Sequence, residues 1–245
     1  MSPLTVLAVI PARYDSSRFP GKPLASICGK SMIHRVYERV ARARLPNQLL
    51  VATDDPRIAQ EVESFGGRAV MTKASHRSGS ERVAEVAATR SCDLVVNIQG
   101  DEPLIKPEAI DLAIERLLQG REFEVSTLVT RMRNMDEVQA RGVVKVVTDL
   151  GGRAIYFSRS AIPYSRSGSG IFFKHIGLYV YRRAFLLQYP ELPRGRLEEE
   201  EGLEQLRILE NGYRILAVET DWDAISVDSP EDLARVEEQL KGRVE

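Results

Sequence analysis

The chain opens on an apolar run that does not alternate, TVLAVI at 5–10. A run of this kind, rich in Val and Ile, predicts a strand buried on both faces. Pro11 is expected to break it. SMIHRVYERVARAR (31–44) then places Met32, Val36, Val40 and Ala43, with Ile33, on one helical face, and Ser31 stands at the N-cap position. The alternation continues. QLLVAT (48–53), RAVMT (68–72) and DLVVNIQ (93–99) are predicted strands. PRIAQEVESFGG (56–67), SERVAEVAATR (80–90) and PEAIDLAIERLLQG (107–120) are predicted helices, the last opened by proline and closed by glycine.

Four strand–helix units in succession predict a parallel sheet with right-handed crossovers. Ligands of such sheets sit beyond the carboxyl ends of the strands, so the loops after Ile10, Thr53, Met71 and Ile98 are the ones to search. The second half changes character. EVSTLVTRM (124–132), VVKVVTD (143–149), RAIYFS (153–158) and HIGLYVYR (175–182) read as strands with little helix between them, and Gly151-Gly152 marks a hairpin turn. LEEEEGLEQLRILENG (197–212) reads as one helix despite Gly202. DSPEDLARVEEQLKG (228–242) reads as a terminal helix in which Ser229 and Asp232 nearly form a capping box, preceded by a short apolar strand. SRSGSG (165–170) is expected to be a mobile loop over a site. The expected fold is α/β: a mainly parallel, Rossmann-like sheet flanked by helices, with a smaller β-rich subdomain or an extension of the same sheet.

Composition narrows the function. A length of 245 residues suits one α/β domain with a large core. Lys and Arg number 34 against 35 acidic residues, so bulk charge gives no hold on nucleic acid, and an anionic ligand must be met by local cations. Cys28 and Cys92 offer neither a disulfide framework nor metal-ligand spacing and are expected to be small buried residues. No run reaches the ~18 apolar residues of a membrane span, and the N-terminus lacks a basic export signal. A cytoplasmic location is expected.

Local cations do occur where the sheet should bind its ligand. PARYDSSRFPGKPL (11–24) presents Arg13, Arg18 and Lys22 on a turn-rich loop after the first strand. Any one of them alone reads as a solvated surface charge. Three at a strand end favour a polyphosphate, since Arg offers a planar fork and Lys a point charge to phosphate oxygens. The G-x-x-x-x-G-K-[ST] phosphate loop is absent, because Pro23 follows Gly21-Lys22, and so is the G-x-G-x-x-G fingerprint of dinucleotide sites. Asp101 follows the strand in VVNIQGDEPLI (95–105), and Asp228 precedes the last helix. Mg²⁺ is held by one or two carboxylates plus substrate phosphates, so these two are the candidate ligands. A turn role for Asp101 and an N-cap role for Asp228 are the structural alternatives. Ser78 and Gly79 open a helix whose free N–H groups could take an anion, with Arg82 in its first turn, although capping alone also explains the serine. His34 and His76 are expected to have no catalytic part.

PARYDSSRFPGKPL, VATDD, SGSERVAE, NIQGDEP, VVKVVTD, YFSRSAIPY, KHIGLYVYRR, EGLEQLRILENG and VDSPEDL stand in this order along the chain. With these segments the sequence resembles the CMP-Kdo synthetases, the 3-deoxy-manno-octulosonate cytidylyltransferases, nearly end to end. The resemblance implies that the anomeric hydroxyl of the acidic eight-carbon sugar Kdo attacks the α-phosphorus of CTP. CMP-Kdo forms for lipopolysaccharide synthesis, and pyrophosphate leaves. It implies a nucleotide site of Pro11, Ala12, Arg13, Arg18, Lys22, Ser78, Gly79, Arg82 and Gln99, with Lys22, Arg18 and Asp101 catalytic. It implies a sugar site of Gln99, Arg159, His175, Tyr179, Glu204 and Gln205, and Mg²⁺ on Asp101 and Asp228. It further implies one domain, with a nucleotide-binding half (1–122), a sugar-binding and dimerisation half (123–220) and a C-terminal return (221–245), assembled as a homodimer. By residues alone His175 could equally be a structural histidine on its strand.

The chemistry suits these residues. Both substrates are anions, and two unit charges ~4 Å apart repel by roughly 4 kcal/mol at an effective dielectric near 20. Cations and a metal on the phosphates offset that repulsion, and transfer by positioning and charge stabilisation needs no nucleophilic Ser or Cys. The rivals are a cytidylyltransferase for another acidic sugar, such as a nonulosonic acid or an amino-Kdo analogue, a non-catalytic nucleotide sensor, and a dehydrogenase. The carboxylate pair speaks against the sensor, and the missing glycine fingerprint against the dehydrogenase.

Overall fold

The computed structural model describes residues 3–15, 19–168, 170–223 and 225–242. The strands in chain order are β1 (Val6–Ala12), β2 (Ser26–Ile27), β3 (Lys30–Ser31), β4 (Gln48–Thr53), β5 (Ala69–Met71), β6 (Leu94–Ile98), β7 (Val125–Arg131), β8 (Lys145–Thr148), β9 (Ala154–Ser158), β10 (Phe173–Arg182) and β11 (Ile215–Glu219). The α-helices are α1 (Met32–Val40), α2 (Pro56–Ser64), α3 (Gly79–Ala88), α4 (Pro107–Gln119), α5 (Met135–Gln139), α6 (Arg183–Gln188), α7 (Arg196–Glu201), α8 (Gln205–Glu210) and α9 (Pro230–Gly242).

One sheet runs in the order β11-β7-β10-β6-β1-β4-β5. β5, β4, β1 and β6 are mutually parallel, as the strand–helix alternation requires. β10 runs antiparallel between β6 and β7, and β11 pairs parallel with β7. The β-rich second half therefore continues the same sheet. Its one branch is the β8–β9 hairpin, which joins through β8 to β10. Gly151 and Gly152 lie in the turn of that hairpin, where the Asp149 carboxylate accepts from the N–H groups of Gly151 and Arg153.

Strand β1 shows why an unbroken apolar run was required. Val6, Ala8, Ile10 and Ala12 enter the core with Ile33 and Val36 of α1, Ile58 of α2, Ile110 of α4 and Val236 of α9. Leu7 and Val9 enter the opposite core with Val83 of α3, Phe185 of α6 and Leu206 of α8. Each fully buried aliphatic side chain of this kind contributes about 1.5–3 kcal/mol.

Several boundaries depart from the sequence expectation for identifiable reasons. Pro11 does not break β1, which continues to Ala12 beside β4. Pairing with β6 has ended at Val9, so the proline sits where the strand has only one neighbour. The expected helix at 197–212 is two helices, because Gly202 takes a left-handed conformation (φ 62°) that ends α7. A fork from the buried Arg207 guanidinium to the Glu198 carboxylate (2.8 and 2.6 Å) then ties α8 back to α7. β11 was not foreseen. Instead of the short strand expected before Asp228, the described residues there form no strand, and Val227 N–H donates to the Asp101 carbonyl at 2.9 Å. The Ser229–Asp232 cap is present, with Asp232 Oδ2 accepting from Ser229 N–H (3.1 Å) and Ser229 Oγ accepting from Asp232 N–H (3.3 Å). Cys28 is exposed with a positive φ, and Cys92 is half-buried, so neither is the core residue expected. No helix among the described residues is long and apolar enough to cross a membrane.

Candidate active site

The ends of β1 and β6 define a cleft of about 260 Å³, lined by Pro11, Ala12, Arg13, Lys22, Ser78, Gly79, Arg82, Gln99, Asp101 and Asp228 among others. Gly100 is needed for this closeness, since a Cβ there would lie 3.1 Å from the Pro11 carbonyl. Lys22 reaches in from the loop after β1. Its ammonium donates to Asp101 Oδ2 (2.6 Å) and the Val227 carbonyl (3.0 Å), and lies 3.4 Å from Asp228 Oδ1. One cation thus joins carboxylates from two remote segments. Arg13 is exposed at the rim. Arg18 lies outside the described residues.

The α3 N-terminus forms another wall. Ser78 caps it by accepting from Glu81 N–H at 3.2 Å, so the capping role is real, and Ser78 and Gly79 still line the cleft. Arg82 lines it too, yet it is buried and its guanidinium donates to Asp54 Oδ2 (2.8 Å) and Thr72 Oγ1, tying the ends of β4 and β5 together. His76, set aside on sequence grounds, also borders the cleft with its ring against Glu85. His34 is remote from it, stacked on Phe65.

A larger cleft of about 1060 Å³ adjoins the first, sharing Gln99, Asp101 and Asp228 as common wall. Arg159, His175, Tyr179, Glu204 and Gln205 all line it. With Gln99 at the end of β6, the six residues expected at the sugar site, drawn also from β10, the segment after β9 and the start of α8, line one cleft. His175 Nε2 is 2.9 Å from Thr127 Oγ1, and the ring lies edge-on to Phe157. The Thr127 hydroxyl donates its one proton to the Leu178 carbonyl at 2.7 Å. It must therefore accept from the histidine, which puts the imidazole proton on Nε2 and leaves Nδ1 as an acceptor. Burial pushes the His175 pKa down to about 3, so the ring is neutral at physiological pH. Burial raises the Glu204 carboxyl, against hydrogen bonding from Ser78 and Ser80, and its Oε2 has no partner. Behind these groups Asn97 Nδ2 donates to Ser80 Oγ (3.3 Å), Ser80 meets Tyr181 Oη (2.9 Å), and Gln99 Nε2 donates to Asn97 Oδ1 (3.3 Å).

Sequence reasoning passed over Glu102 and Lys174, which line the larger cleft. Burial, then the charge of Asp101, raises the Glu102 carboxyl to about 8. Its position beside Asp101 in NIQGDEP was the available signal.

A sheet edge that gathers cations and paired carboxylates, without a phosphate loop or dinucleotide fingerprint, fits a nucleotidyltransferase, the class that comparison with known proteins shows. The cytidylyltransferase family model matches residues 7–215. The 3-deoxy-manno-octulosonate cytidylyltransferase of Geobacter sulfurreducens is 50% identical over 97% of this chain and all of its own. That of Syntrophotalea carbinolica is 52% identical over 98% of this chain and all of its own. A solved structure of CMP:2-keto-3-deoxy-manno-octonic acid synthetase complexed with CTP is 40% identical, covers 98% of this chain and 100% of that one, and superposes with a TM-score of 0.94. The chain belongs to the cytidylyltransferase family, among its 3-deoxy-manno-octulosonate members.

Proposed function

We propose that the protein transfers CMP from CTP to Kdo, releasing pyrophosphate and supplying an activated sugar for lipopolysaccharide assembly. The observation that carries this reading is the meeting of Lys22, Asp101 and Asp228 in a cleft continuous with the one holding Arg159, His175 and Glu204. The smaller cleft takes the nucleotide. Arg13 and Lys22 hold the triphosphate, and Lys22 stabilises the charge that grows on the phosphate oxygens during transfer. Ser78 and Gly79 offer N–H groups from the start of α3, and Arg82 acts by holding the cleft wall. Gln99 stands between the two substrates. In the larger cleft Arg159 meets the sugar carboxylate, the Nδ1 of neutral His175 accepts from a sugar hydroxyl, and Tyr179, Glu204 and Gln205 complete the polar lining. The anomeric hydroxyl then approaches the α-phosphorus across the shared wall, and positioning supplies most of the rate.

Asp101 and Asp228 suit a magnesium ion. They are hard oxygen donors that meet at one ammonium, and Mg²⁺ asks for only one or two carboxylates when phosphates complete its shell. When bound, the ion supplies charge neutralisation on the triphosphate and lowers the pKa of a coordinated hydroxyl.

We also propose a cytoplasmic homodimer. Ile155 on β9, with Tyr164 and Ile171 in the connection to β10, expose large apolar surfaces that a second copy would cover. Phe172, the neighbour of Ile171, is buried and takes no part in that face. Activity with CTP but not UTP, ATP or GTP, across a panel of sugar acids, tests the reading and separates Kdo from its amino-substituted and nonulosonic relatives.

A further inference from the structure

Lys145 opens β8 and is wholly buried. Its Nζ lies 2.9 Å from the Ala140 carbonyl, 2.6 Å from that of Val143 and 2.6 Å from that of Arg159. All three partners are acceptors, so the amine donates three hydrogens and is an ammonium. No carboxylate among the described residues makes an ion pair with it. Burial, then the like charge of Arg159, push the Lys145 pKa down; the charge of Glu201 opposes them, but that carboxylate accepts from Ser158 Oγ (2.6 Å) and Arg159 N–H (2.8 Å) instead. A buried ammonium without a counter-ion is costly where a methionine would fill the same space. The fold of the hairpin therefore does not explain it.

Two of its three acceptors, the carbonyls of Val143 and Arg159, belong to residues that line the larger cleft. Val143 and its neighbours Gly142 and Val144 line one part of the wall, and Arg159 lines another. The Val144 carbonyl in turn accepts from His175 N–H at 2.9 Å. A single side chain thus braces the 140–143 segment against the Arg159 main chain, and through Val144 adjoins the strand bearing His175. Its charge lies in a poorly screened interior, where its field extends further than that of a solvated lysine.

We propose that Lys145 is a positioning residue for the carboxylate of the acidic sugar: its buried ammonium fixes the Arg159 wall of the cleft and adds positive potential behind it. This rests on the reading of the larger cleft as the sugar site. The role is distinct from direct contact, because all three donors are already engaged.

The test is steady-state kinetics on the full chain with CTP, Mg²⁺ and Kdo. Lys145→Met should raise KM for Kdo by at least ~10-fold while KM for CTP and kcat stay within about threefold. Lys145→Arg, which keeps the charge, should give a smaller rise. Val146→Ala, a buried neighbour on the same strand, controls for loosening of the hairpin: it should lower Tm with KM for Kdo little changed. If Lys145→Met does not fold, Lys145→Gln, which keeps two donors and no charge, is judged by the same split. An unchanged KM for Kdo, equal effects on both substrates, or reproduction of the effect by Val146→Ala overturns the inference. Failure of the wild-type protein to turn over Kdo at all would instead overturn the functional reading beneath it.

Discussion

The ammonium of Lys22 lies 2.6 Å from Oδ2 of Asp101, a contact between residues 79 positions apart that the end of β1 and the end of β6 bring together. Asp228, from the segment before α9, meets the same ammonium. Three segments of the chain thus converge on one charged cluster at the edge where parallel sheets bind their ligands.

The cluster predicts a clear response to charge removal. Asp101→Asn and Asp228→Asn should each lower kcat by ~10²-fold or more while Tm stays near wild type, since losing a group that stabilises developing charge costs about that much. Binding of Mg²⁺ with CTP, followed by calorimetry, should weaken in both variants. Near wild-type turnover at saturating Mg²⁺ would contradict the metal assignment.

Histidine 175 predicts a split between substrates. His175→Ala should raise KM for the sugar far more than KM for CTP. Thr127→Val removes the acceptor that places the imidazole proton on Nε2, and should shift the sugar KM in the same direction by a smaller factor. Equal effects of His175→Ala on both substrates would show that the ring serves the fold alone.

The same ring predicts a pH dependence. Its folded pKa of about 3 lies below the ordinary value near 6.5, so the unfolded chain binds the extra proton between these limits. His175 therefore favours the folded state fully above about pH 6.5, and this contribution declines as pH falls toward 3, at up to ~1.4 kcal/mol per pH unit. Denaturant titrations should show His175→Gln losing less stability than wild type between pH 6.5 and 5. Parallel pH profiles would contradict burial as the cause. Glu102 acts in the opposite sense, since its raised carboxyl favours the folded state more at low pH, and it is common to both proteins.

The exposed apolar side chains predict an assembly. Ile171→Glu combined with Ile155→Glu should convert a dimer to a monomer in light scattering without lowering Tm by more than a few degrees, because both side chains are already exposed. A wild-type monomer would contradict the assembly, and a dimer unaffected by the charges would place the interface elsewhere.

Much of the fold was legible because its signals are local. The unbroken apolar run of β1, the helical stripe of α1 and the proline and glycine bounding α4 each follow from burial or backbone chemistry within a few residues. The division of 197–212 at Gly202 was less visible, since helix propensity on either side outweighs one glycine until its left-handed turn is seen. The end of β1 was misread because proline's effect depends on whether a neighbouring strand needs its N–H. For the site, Lys22 and Asp101 stood out by residue type at a strand end. Lys145 did not, because a lysine in VVKVVTD gives no sign that its amine turns inward to three carbonyls.

The most direct test of the whole account is pyrophosphate release by the purified wild-type protein with CTP, Mg²⁺ and Kdo. The account predicts release that requires all three, with CMP-Kdo formed in equal amount. Absence of pyrophosphate with Kdo, under conditions where another sugar acid or nucleotide supports it, would contradict the assigned substrates.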